Sequence, residues 1–162
     1  MFCSFFGHRD YGLDSEVCLL EEIEKLILSA DVDVFYVGNK GRFDRSVHHA
    51  LKKLKWKYPH IKTYIVLDSA LPPDRDKLSE EEREYMASIK YFDYLVPDGI
   101  ENVPKRFAMN HRNRWMIKEC DIAVVYYLYP GTNTQKHVEK LLRAGKPIIN
   151  IADINSSGET EY

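Results

Sequence analysis

The chain has little cysteine, no long apolar run and no excess of positive charge, and each lack narrows what it can be. Its 162 residues include three cysteines, Cys3, Cys18 and Cys120, far apart and without a C-x-x-C spacing. An odd, scattered count argues against a disulfide framework and leaves buried thiols as the plain reading. Six histidines are equally dispersed; His48 and His49 are adjacent, so on a helix they point roughly 100° apart and make a poor pair of ligands. No metal is expected, and no motif asks for a cofactor. No apolar run approaches the roughly 18 residues of a membrane span, and the N-terminus lacks a basic region followed by a long apolar stretch. A cytoplasmic protein with no membrane partner is therefore expected. The formal charge of −2 gives no general attraction to polyanions, so nucleic acid is not an expected partner. Lys52, Lys53, Lys55 and Lys57, interleaved with Leu54 and Trp56, read either as the solvated C-terminal end of a helix, whose dipole favours cations, or as a local nucleic-acid patch.

What is present is an apolar content of 44%, enough for one domain with a sizeable core over residues 1–154, followed by a polar, acidic tail at 155–162 expected to fray. The most informative stretch is 121–151. Asp121 to Leu128 is an apolar run rich in β-branched and aromatic residues, as for a strand covered on both faces. Tyr129-Pro130-Gly131-Thr132-Asn133-Thr134 breaks it; Val138, Leu141 and Leu142 then fall at helical spacing, and Gly145 sits where a C-cap belongs. Lys146–Ile151 is a second apolar strand, so the unit is βαβ. The loop leaving its first strand lies at the carboxyl edge of the sheet, where a helix N-terminus offers N–H groups and a positive dipole end to an anion.

The rest of the chain repeats this grammar. Phe2–Phe6 is a first strand ending at Gly7-His8-Arg9-Asp10, where glycine admits a ligand to the backbone and arginine can reach an anion. Ser15–Ser29 is an amphipathic helix with Val17, Leu20, Ile23, Leu26 and Ile27 on one stripe. Val34–Val37 is a second strand, followed by Gly38-Asn39-Lys40-Gly41-Arg42-Phe43-Asp44 and a helix over roughly 44–57. Asp44 serves equally well as an N-cap or as a ligand-facing carboxylate. Ile61–Leu67 is a third strand. Residues 68–104, with Pro72-Pro73, a Ser79-to-Glu82 capping box and a short strand near Tyr94–Val96, form the least regular segment, a lid, a subunit contact or a surface excursion. Apolar and aromatic residues at 79–96 would suit a homodimer. Phe107–Glu119 is helical and carries Asn110, His111, Arg112, Asn113 and Arg114, of which two or three at most can face one ligand.

Strands alternating with helices imply an α/β fold, a Rossmann-like domain with a mostly parallel sheet and helices on both faces. Such a sheet binds ligands outside its carboxyl edge. Three loops would converge there: Gly7–Asp10, Gly38–Asp44 and Pro130–Thr134.

At these loops, together with Arg112, the chain resembles the SLOG superfamily, the Rossmann-like group that includes DprA and the LOG phosphoribohydrolases. Phe5-Phe6-Gly7-His8-Arg9, then Phe35-Tyr36-Val37-Gly38 with Gly41, Phe43 and Asp44, and Arg112-Asn113-Arg114-Trp115-Met116 are similar to the small stand-alone bacterial YpsA-like members. The resemblance spans roughly residues 2–151. For a LOG enzyme it implies hydrolysis of the N-glycosidic bond of a nucleoside monophosphate by an arginine, matched by Arg112, and a glutamate, where this chain has Gln135. Glutamine cannot act as a general base or stabilise an oxocarbenium ion by charge. Glu139 lies one helical turn further on.

Two readings follow. In the first the chain binds or senses a nucleotide-like small molecule, with ADP-ribose-like or cyclic nucleotides among the ligands the resemblance implies. Gly131, Thr132 and Thr134 beside Pro130 cradle phosphate; Arg9, Arg42 and Arg112 supply charge; Gly7, His8, Gly38, Asn39 and Gly41 line the approach, and Tyr127 or Phe43 stacks a base. In the second the chain is an N-glycoside hydrolase or transferase, with Asp44 or Glu139 as carboxylate and Arg112 as the catalytic cation. Single-stranded DNA binding in the DprA manner is a third reading, on fold analogy alone.

Overall fold

The computed structural model describes residues 1–8, 16–71 and 74–153. Along the chain run β1 (Phe2–Gly7), α1 (Glu16–Ser29), β2 (Val34–Val37), α2 (Gly41–Lys57), β3 (Lys62–Val66), α3 (Glu80–Ser88), β4 (Asp93–Leu95), α4 (Ala108–Glu119), β5 (Ile122–Tyr126), α5 (Asn133–Arg143) and β6 (Ile148–Asn150). The strands form one six-stranded sheet in the order β4-β3-β2-β1-β5-β6. Every pairing is parallel. This is the expected α/β architecture.

The side chains of each strand alternate between two cores, as the period of two requires. Cys3, Phe5, Phe35, Val37, Ile65, Ile122 and Val124 face α1 and α2. Phe6, Tyr36, Val66, Ala123 and Val125 face Met116 and Ile117 of α4 and Leu141 of α5. Helices thus cover both faces, which is why the strands read as nearly continuous apolar runs. No helix among the described residues is long and apolar enough to cross a membrane.

Several local expectations shift. On α1 Ile23, Leu26 and Ile27 are buried as expected together with Leu19, and Leu20 packs partly buried against the first core, while Val17 is exposed. On α5 Leu141 is buried and Leu142 is not. The last strand is three residues long, and Ile151 already belongs to a helical turn. The helix expected from about 44 begins at Gly41, because Gly41 adopts φ +87° and turns the chain immediately after Lys40. Asp44 is therefore not its N-cap; it reaches back from the first turn and accepts the Lys40 N–H at 3.0 Å. The tail at 154–162 lies outside the described residues.

Candidate functional site

The sheet order reverses between β1 and β5, the place where a parallel sheet opens a crevice at its carboxyl edge. A cavity of about 320 Å³ lies there. Gly7 and His8 line it from β1, Gly38, Lys40 and Asp44 from the β2–α2 turn, Arg112 and Asn113 from α4, and Tyr129, Thr132, Thr134 and His137 from the β5–α5 turn and α5. The described residues of the three loops meet here. Arg9 lies outside the described residues.

Arg112 and Asp44 are the charged groups buried in this cavity, at 5% and 8% exposure. The Arg112 guanidinium donates from Nε and Nη2 to Asn113 Oδ1, each at 3.3 Å, and from Nη1 to Asn39 Oδ1 at 3.1 Å. Arginine has five N–H donors. Among the described residues this leaves one N–H on each terminal nitrogen unpartnered. Gly38 lies between arginine and aspartate: a Cβ there would come within 2.7 Å of Asp44 Oδ2 and 3.1 Å of Arg112 Cζ. Only glycine lets the two side chains close over the backbone.

The N-terminus of α5 lines the same cavity. Thr132 is its N-cap, its Oγ1 accepting the Gln135 N–H at 3.3 Å. Asn133 and Thr134, at the first two helical positions, line the cavity, and N–H groups there have no acceptor within the helix. Gln135 is committed elsewhere: its Oε1 accepts the Gly131 N–H at 2.6 Å and its Nε2 donates to Glu139 Oε1 at 3.3 Å. Glu139 is exposed and, like Gln135, is not part of the cavity lining. Thr132→Ala is expected to cost about 1 kcal/mol of stability through loss of the cap, read from urea unfolding.

Of the other expected residues, Asn39 joins the site through Arg112. Gly41, Arg42, Pro130 and Gly131 are exposed and do not line the cavity. Phe43 cannot stack a base, because it is 2% exposed and packed beneath Gly7. Tyr127 packs against the second core. Two residues went unforeseen. Tyr129 stacks on His8 with ring centroids 4.3 Å apart, and His8 Nε2 accepts the Leu128 N–H at 2.9 Å, tying β1 to the loop after β5. His137 receives the Asn113 amide at 3.2 Å and leaves its Nδ1 without a partner among the described residues. Its spacing from Asn133 and Thr134, four and three residues, puts it on their face and was the available signal.

Burial pushes His48, on α2, and His137 down to about 4. The unfolded chain then holds more protons than the folded one between about 4 and 6.5, so their contribution is complete above that window and lost as pH falls through it. Asp44 has the opposite sign: burial raises its carboxyl to about 6, against the pull of Arg112 and the Lys40 N–H. Its ionisation above that pH costs stability. Asp44→Asn is accordingly expected to gain about 3 kcal/mol on the wild type between pH 4 and pH 7, roughly two pH units at 1.36 kcal/mol each. Urea unfolding of both proteins at the two pH values measures this; a difference independent of pH would refute it.

No protein-family model matches the chain, and no curated protein matches it in sequence. Solved structures match it in fold. DNA processing protein A (DprA) of Streptococcus pneumoniae superposes with a TM-score of 0.62 at 18% identity, over 90% of this chain and 48% of that one. The chain shares the DprA fold. The DprA of Helicobacter pylori, described for its single-stranded DNA binding mode, superposes with a TM-score of 0.63 at 14% identity, over 91% of this chain and 63% of that one. The chain therefore spans about half to under two thirds of these DprA structures.

Proposed function

We propose that the chain binds a nucleotide-like, phosphate-bearing small molecule at the carboxyl edge of the sheet, without efficient hydrolysis, as a YpsA-like member of the SLOG group. The observation that carries this is Arg112: a guanidinium buried in a cavity, with one N–H on each terminal nitrogen unpartnered among the described residues, in a site that a helix N-terminus also lines. Those are the two devices that hold phosphate, a planar cationic fork and the positive end of a helix dipole. Thr132 and Thr134 add hydroxyls. The Tyr129–His8 stack offers the aromatic surface for a base that Phe43 does not. Gln135, tied to Gly131 and Glu139, supports binding over turnover, because no carboxylate stands at that position.

Isothermal titration of the purified chain with a panel of nucleoside mono- and diphosphates tests the reading. Micromolar binding, weakened by Thr132→Ala, is expected; no heat across the panel would sink it. A single-stranded oligonucleotide presents the same phosphates, and binding to it alone, falling steeply with salt, would move the assignment to nucleic acid.

One observation favours N-glycoside cleavage as a second reading. Asp44, with a carboxyl raised to about 6, lies in the cavity and is protonated over part of the range where a general acid is useful. Glu139 does not line the cavity. Release of free base, abolished by Asp44→Asn, is what this reading requires.

A further inference from the structure

Arg112 leans on Asn39, and behind Asn39 lies a second buried hydrogen-bond chain. His48, on α2, is 1% exposed. Its Nε2 stands 2.9 Å from the Gly38 carbonyl oxygen, an oxygen that can only accept, so Nε2 carries the proton. In the neutral ring Nδ1 is then the acceptor, and the Tyr85 hydroxyl donates to it. Phe92 meets the imidazole edge-on at 5.6 Å, and the Arg45 guanidinium lies 4.9 Å from the centre of the Tyr85 ring.

Tyr85 belongs to α3, which has no fully buried residue of its own. That helix is fastened by Tyr85 and Met86, packed against the first core, and by Ile89 just beyond it. A helix so lightly held nevertheless sends one hydroxyl inward to the histidine beneath the second loop of the site.

The carbonyl held by His48 shares a planar peptide unit with the Asn39 N–H. Against the α-carbon of the same Gly38 lie Asp44 Oδ2 and the Arg112 guanidinium, and Asn39 Oδ1 supports Arg112 Nη1 at 3.1 Å. A rotation of this one peptide shifts the support of the guanidinium.

We infer that Tyr85 and His48 are positioning residues for Arg112: through one hydroxyl and one imidazole, α3 sets the Gly38–Asn39 peptide and, through it, the aim of the guanidinium. α3 is in this sense a brace for the site. Its effect on affinity rests on the phosphate reading above; the geometry does not.

The test uses the full chain labelled with nitrogen-15. Tyr85→Phe removes only the hydroxyl. In the protein without ligand, solvent exchange of the Arg112 Nη1 hydrogens, one of which is held by Asn39 Oδ1, is expected to quicken about threefold to tenfold, the range that loss of one net hydrogen bond gives, and the Asn39 amide resonances to move. Affinity for adenosine monophosphate is expected to fall by a similar factor. His48→Gln, which keeps one donor and one acceptor, is expected to retain more of the wild-type exchange protection than His48→Leu, and this pair gives the same reading should Tyr85→Phe not fold. A purely structural role lowers the melting temperature and leaves the guanidinium unmoved, so unchanged Arg112 exchange in folded variants overturns the inference. If the wild type binds no adenosine monophosphate, the phosphate reading fails alone, and the exchange data still decide the positioning.

Discussion

Replacing Arg112 by alanine is expected to lower affinity for a nucleoside monophosphate by about a hundredfold or more. Two charge-assisted hydrogen bonds to a phosphate at about 1.5–3 kcal/mol each account for that factor, since every 1.4 kcal/mol is tenfold. The loss is not only of charge. Asn39 Oδ1 and Asn113 Oδ1 lose their guanidinium donors, and Asp44 loses the cation that holds its carboxyl down, so its pKa rises further. Arg112→Lys keeps the charge without the planar fork and is expected to fall between the two. Titration calorimetry on variants shown to be folded by circular dichroism decides it; wild-type affinity in Arg112→Ala would remove this side chain from the site.

Gly7→Ala is expected to destabilise the fold by about 3 kcal/mol, the upper end of the usual cost of overpacking. A Cβ at this position would lie 2.8 Å from Cδ2 of Phe43, and nearer still to Cγ and Cδ1 of the same ring. That ring is 2% exposed within the first core, and β1 is bonded on both sides, so neither partner can step aside cheaply. Phe43→Ala alone leaves a hole and is expected to cost about 3–5 kcal/mol. The double variant Gly7→Ala/Phe43→Ala is expected to lose clearly less than the sum, because the added methyl enters the space the ring vacated. Urea midpoints at constant slope measure all three, and simple additivity would show that the two residues do not meet.

Much of this architecture is legible in the residue pattern because the sheet is buried on both faces. Each strand then appears as a short apolar block, each helix as a stripe, and the loops between them as clusters of glycine and polar residues. What the pattern misjudged were tertiary matters. Asp44 has the chemistry of a capping residue and does accept a backbone N–H, but from within the helix, because Gly41 turns the chain three residues earlier. Phe43 stands in a polar loop motif and reads as accessible, yet the absence of a side chain at Gly7 makes room for it in the core. His137 sits among polar residues of an amphipathic helix, and nothing local says that Asn113, 24 positions away, will hold it against the cavity. Arg112 was found because a resemblance marked it; that it would be 5% exposed could not be read from the exposed-looking run around it.

The strand order carries a consequence for how the chain is made. β1 is made before the other five strands and lies inside the sheet, yet one of its two neighbours is β5; the bond from the Phe2 N–H to Asp121 Oδ2 at 2.8 Å joins residues 119 positions apart. At a synthesis rate of about 5–20 residues per second, that side of β1 waits on the order of 6 to 24 seconds for its partner. Throughout that interval the nascent chain carries an unpaired, aromatic-rich strand edge, the kind of surface on which chains stick to one another. The crevice between β1 and β5 thus stays unformed until β5 is made, the strand that leads directly into the loop carrying Tyr129 and Thr132.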